Sequence, residues 1–132
     1  MMVLRRVVAI LPVVDIERAR GFYEHALGLR EIERHESSGE TVYEAPGGGG
    51  TIELVPRHEP SRAEHTAVSF EVDDVQVAVL ELEDRGVVFD DYDLPGLHTD
   101  GHIAEIDGQR CAWFHDPEGN ILCLHENMMR VT

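Results

Sequence analysis

Apolar positions along this chain alternate between two periods, and the alternation happens twice. From Val7 to Val14 and again from Thr66 to Val72 the pattern is that of a strand. After each run the period lengthens to that of a helix. Ile16, Ala19, Tyr23, Ala26 and Leu27 share one face of a helix predicted over Asp15–Gly28, with Asp15 as its N-cap and Gly28-Leu29 as its end. Val75, Ala78, Val79 and Leu82 repeat the arrangement after Asp73-Asp74, and Gly86 closes that second helix. Both stripes are core.

Short strands follow each helix. Arg30–Glu36 and Glu40–Ala45 read as a hairpin around Ser37-Ser38-Gly39, and Gly47–Gly50 turns the chain into a strand over Thr51–Val55. No helix follows those glycines to offer free N–H groups, so they are a turn and not a phosphate cradle. Pro56–Glu64 is a polar hinge. Beyond it, Val87–Tyr92 is a predicted strand leading into Asp93-Leu94-Pro95-Gly96-Leu97, and Ile103–Ile106 pairs with Arg110–His115 across Asp107-Gly108. The sharpest turn, His115-Asp116-Pro117-Glu118-Gly119-Asn120, separates the apolar runs Cys111–Phe114 and Ile121–Leu124. A β-α-β-β-β unit thus occurs twice, at about 5–56 and 64–126, within a single domain spanning 1–132. Such a unit buries its apolar face against its own copy, which makes the class α+β.

Composition narrows the function. A chain of 132 residues is one domain's worth, and it holds no apolar run approaching the ~18 residues of a membrane span. Its first residues lack a signal-peptide core, so a cytoplasmic protein is expected. Two cysteines make no disulfide framework. Against 26 acidic residues stand 11 basic ones, all arginine, for a net charge of −15. An acidic protein of this kind repels nucleic acid and anionic membranes and favours a cationic ligand. The same surplus is first a matter of solubility.

The two tandem units, Phe22-Tyr23 inside the first helix, Leu27-Gly28-Leu29 at its end, and Asp116-Pro117-Glu118-Gly119-Asn120 near the C-terminus resemble the vicinal oxygen chelate superfamily. That group includes glyoxalase I, bleomycin- and fosfomycin-resistance proteins, methylmalonyl-CoA epimerase and extradiol dioxygenases. The resemblance runs from about Val7 to Leu124 and implies a curved mixed sheet around a concave cavity, in a homodimer. It is specific for the fold and silent about the reaction.

Strand alternation then sorts side chains between core and cavity. Thr66, Val68, Phe70 and Val72 are expected against the helices, leaving His65, Ala67, Ser69 and Glu71 in the cavity. Thr51, Glu53 and Val55, Val8 and Ile10, and Ile121, Cys123 and His125 join them. With residue 115 opposite 120 in the last hairpin, Ala112 faces Cys123, Arg110 and Phe114 share that face, and Cys111 points to the other side. A Cys111–Cys123 disulfide is therefore not expected.

The resemblance implies four metal-ligand positions, which fall here on Val8, Glu53, His65 and Cys123. Glu53 and His65 match the superfamily's Glu and His. Val8 replaces a His and offers no donor, and Cys123 replaces a Glu. Since a divalent catalytic site wants three or four donors, no metal is favoured; one bound by Glu53, His65 and Cys123 would be Zn-like. His98, His102 or His125 are conceivable substitutes for Val8, whereas His25, His35 and His58 read as solvated.

Three functions compete. The first is a metal-free protein that binds a small organic molecule, cationic or aromatic, through Glu53, His65, Arg110, Phe114, Cys123 and His125. The second is a metal-dependent lyase, isomerase or dioxygenase using Glu53 and His65. The third is a metal-free acid–base enzyme built on the same two candidate catalytic residues. The first is preferred on the depleted ligand set and the acidic charge, and ligand identity is beyond the sequence.

Overall fold

The computed structural model describes residues 1–126. By their contacts they form two compact units, Met1–Arg62 with Pro117–Asn120, and Ala63–Asp116 with the chain from Ile121 on.

The N-terminal unit contains strands β1 (Val8–Val13), β2 (Arg30–Arg34), β3 (Thr41–Glu44) and β4 (Thr51–Pro56), with helix α1 (Ile16–Gly21) after β1. Their order in the sheet is β1-β4-β3-β2, with β1 parallel to β4 and the other pairs antiparallel. Asp15 caps α1 by accepting from the Arg18 N–H at 3.1 Å. The predicted helix continues past Gly21, but as a π-helical segment over Phe22–Ala26 in which the Leu27 N–H donates to the Phe22 carbonyl at 3.2 Å. Gly28 then ends it in the left-handed region, at φ 70°, where a side chain would be strained.

One face of this sheet receives α1. Leu11, Thr41, Tyr43, Ile52 and Leu54 are buried there with Ala19 and Tyr23, and the Tyr23 and Tyr43 rings stack at 6.4 Å. Fully burying an aliphatic or aromatic side chain contributes about 1.5–3 kcal/mol, so this layer dominates the unit's stability. Arg20 is buried too, because each end of its guanidinium is bonded: Nε donates to Thr41 Oγ1 and Nη2 to the Gly39 carbonyl, both at 2.9 Å, and Nη1 pairs with Glu17. The Tyr43 hydroxyl donates to Glu24 at 2.7 Å, and burial together with that carboxylate pushes its pKa up.

The C-terminal unit contains β5 (Thr66–Glu71), α2 (Val75–Asp84), β6 (Phe89–Asp90), β7 (Asp93–Leu94), β8 (Leu97–His98), β9 (Ala104–Ile106), β10 (Gln109–His115) and β11 (Ile121–His125). Its main sheet runs β5-β11-β10-β6, with β5 parallel to β11 and β9 also on β10; β7 and β8 form a separate hairpin. The strand predicted over Val87–Tyr92 shrinks to Phe89–Asp90, and the Asp93–Leu97 segment that follows it falls within that small hairpin. Asp107 and Gly108, at φ 52° and 78°, make the predicted two-residue turn between β9 and β10. Asp74 caps α2 through the Val77 N–H, and Val75, Val79 and Leu82 are buried. Both units are therefore mixed α+β, and no helix among the described residues is long and apolar enough to cross a membrane.

Candidate functional site

In each unit chemistry can reside on the sheet face turned away from the helix. The N-terminal unit follows the expected parity. Ile10 pairs with Glu53 and Val8 with Thr51 across the parallel β1/β4 ladder, and Val42 lies opposite Glu53 on β3. Glu53 is half-buried, and among the described residues its carboxylate has no hydrogen-bond or ion-pair partner. Val8 stands two residues from Ile10 on the same face, an apolar side chain with nothing to donate to a metal.

The C-terminal unit departs from expectation by one residue. His115 pairs with Ile121, not with residue 120, so Trp113 faces Cys123 and Phe114 faces Leu122. A shift of one residue sends every side chain of a strand to the other face. Phe114, predicted in the cavity, is fully buried on the helix side and packs on Phe89 with ring centroids 5.2 Å apart. Arg110, predicted beside it, also leaves the cavity face: its guanidinium donates to Glu126 (3.1 and 2.5 Å) and to the α2 cap Asp74 (3.3 Å). It lines instead a cavity of about 620 Å³ with Gln76, Leu97, His98 and Ile103.

The same shift brings Cys111 onto the face of Cys123, contrary to the sequence reading. Both thiols are free and buried. Burial raises the pKa of each, that of Cys111 to about 11. A second irregularity, between Thr66 and Val68, moves Thr66 off the helix side; its Oγ1 accepts from Trp113 Nε1 at 3.2 Å. His65 precedes β5 and is exposed.

What this face of the C-terminal unit holds is therefore an aromatic and polar surface. Tyr92 and Trp113 meet edge to face at 5.6 Å. Ser69 lies opposite Cys123 across the β5/β11 ladder, with its Oγ 2.5 Å from Nδ1 of His125. His115 Nδ1 lies 2.6 Å from Asp90 Oδ2. Cys123 and His125 stand where the sequence put them, whereas Trp113 and Tyr92 were missed. The hairpin register hid Trp113, and the brevity of β6 hid Tyr92.

The superfamily's metal set fits these residues poorly. Of its four positions Val8 has no donor, and Cys123 is a buried thiol whose pKa burial raises, which disfavours the thiolate form that binds metal. Glu53 and His65 remain.

The family model for the Glyoxalase/Bleomycin resistance protein/Dioxygenase superfamily matches residues 5–124. A member of that superfamily from Sphaerobacter thermophilus DSM 20745 is similar in structure at 25% identity and a TM-score of 0.73, covering 96% of this chain and 100% of its own. TnmS3, an antibiotic binding protein from Streptomyces sp. CB03234, is similar at 23% identity and 0.66, covering 96% and 98%. The fosfomycin resistance protein FosX from Listeria monocytogenes is similar at 17% identity and 0.69, covering 97% of both. The last two likenesses show the fold alone. No curated protein matches the sequence. On the family match and the tandem β-α-β-β-β units together, the chain belongs to the Glyoxalase/Bleomycin resistance protein/Dioxygenase superfamily, the vicinal oxygen chelate group that its motifs resemble.

Proposed function

We propose that this protein binds a small, cationic aromatic molecule, and that it does so without the superfamily's own metal centre. The observation that carries the reading is the half-exposed Tyr92–Trp113 pair on the helix-free face of the C-terminal sheet, with Ser69, Cys123 and His125 beside it. Small-molecule sites combine a mainly apolar or aromatic wall with a few fixed polar groups, and aromatic faces attract cations. The net charge of −15 draws such a ligand in. The antibiotic-binding role of TnmS3 is a precedent on the same fold. The expected homodimer belongs to the same proposal, and sedimentation velocity reads it directly; a monomer at all concentrations removes that part.

Trp113 is the chain's single tryptophan, so its emission reports this face alone. A panel of cationic and neutral aromatic natural products is titrated while Trp emission and thermal midpoint are followed. A true ligand shifts both, because occupancy stabilises the folded state. Tyr92→Ala then weakens it by about tenfold, the equivalent of one lost aromatic contact. A broad panel that moves neither signal ends the proposal.

A further inference from the structure

Apart from the aromatic face, one cluster of donors lies wholly within the N-terminal unit. A ligand atom from each of His35, Glu40 and Glu53 lies within 4.8 Å of the others. The register explains the convergence. The His35 N–H donates to the Glu40 carbonyl at 2.9 Å, so the two residues face each other across the β2/β3 turn. Glu40 precedes Thr41, whose partner on β4 is Leu54; by alternation Glu40 shares the helix-free face with Val42 and Glu53. Three consecutive strands or their ends each aim one donor at one place.

We infer that His35, Glu40 and Glu53 form a binding site for a divalent first-row metal ion that shares only Glu53 with the superfamily's four positions and takes its other two donors from outside them. One imidazole and two carboxylates match such an ion in donor type, and the two carboxylates balance its charge. Among the described residues neither carboxylate has a competing hydrogen-bond or ion-pair partner. Glu33 stands 3.3 Å from His35 Nε2, in place as the outer carboxylate that steadies a ligating imidazole. Ligand atoms about 2.1 Å from an ion stand roughly 3 Å apart, so the side chains close in by about 1–2 Å on binding. His35 is exposed and Glu40 half-buried at the hairpin end, which leaves both free to move. Water completes the coordination.

The test uses full-length protein stripped with chelator, titrated with Co²⁺ for its visible absorption and with Zn²⁺ by calorimetry. One ion per chain is expected. Binding is lost in His35→Ala and in Glu40→Gln, is weakened about tenfold in Glu33→Gln, and survives in His65→Ala and Cys123→Ser. Unchanged circular dichroism confirms that each variant folds. No binding by the wild type overturns the site, as does full retention in His35→Ala and Glu40→Gln. Loss in His65→Ala or Cys123→Ser equal to that in His35→Ala also overturns it, by assigning the ion to the superfamily positions. The Trp113 titration is independent of this experiment, so either result stands without the other.

Discussion

Glu118 has no exposed side-chain surface, yet its carboxylate is fully used. Oε1 accepts from the backbone N–H groups of Val14 (2.9 Å) and Asp15 (2.6 Å), just ahead of α1, and Oε2 pairs with Arg18. These are donors at the start of a helix, where the dipole favours negative charge. Arg18 is half-exposed, so the ion pair itself adds little. The two N–H bonds decide the matter: Glu118→Ala leaves both donors without a partner and is expected to cost about 2–4 kcal/mol. Glu118→Gln keeps an acceptor and loses about half as much. Urea denaturation of the two variants checks this, and a loss under ~1 kcal/mol for alanine would reject the role. Nothing local in the sequence shows it. Glu118 reads as a turn residue, and its partners lie about a hundred positions away in the chain.

Elements show where sequence reading worked and where it stopped. Both helices and the turns at Ser37–Gly39 and Asp107-Gly108 follow from periodicity, caps and turn dipeptides, because those signals are local, whereas the parallel pairings of β1 with β4 and of β5 with β11 join strands far apart in the chain. The pairing of β10 with β11 does not follow from them, since His115–Asn120 permits closure with residue 115 opposite either 120 or 121. That single choice exchanged Phe114 for Trp113 and moved Cys111 across the sheet. His35 reads as solvated and is exposed, but its approach to Glu40 and Glu53 is not legible in the sequence, because those residues come from other strands. Arg110, once removed from the cavity face, acquires a structural task. With Glu126, which also accepts from the Val75 N–H at 2.8 Å, it secures the start of α2. The hydrogen bond from Arg110 is the main cause that holds the Glu126 pKa below the ordinary carboxylate range. A carboxylate depressed in the folded state stabilises above its unfolded pKa of about 4.3, and that contribution fades as pH falls through the folded value. The stability gap between wild type and Glu126→Gln should therefore be full at neutral pH and close in acid. Urea midpoints measured across that range decide it; a gap independent of pH means the ionised carboxylate is not responsible.

For the molecule as a whole, the repeat was legible and the division of the chain was not. Sequence suggests two consecutive segments, whereas the N-terminal unit includes Pro117–Asn120. Besides Glu118, this segment supplies Asn120, whose side-chain amide donates to the Pro12 carbonyl at 3.0 Å, and Gly119, where a Cβ would come within 3.2 Å of the Ser61 carbonyl. At φ 85° that glycine is also the residue the backbone requires. A fragment ending at Arg62 therefore lacks part of its own unit. It should show weaker helicity and no cooperative melt, and a cooperative transition matching that of the full chain would refute the division.

The placement of that short segment also orders events during synthesis. A ribosome emits the chain in N-to-C order, so β1 to β4 leave the exit tunnel long before Glu118 and Asn120 exist. The first unit to be begun is then completed only after most of the second has been made. Until the β10/β11 hairpin emerges, the Val14 and Asp15 N–H groups must be served by water, and the nascent sheet waits half-finished for residues translated long after its own strands.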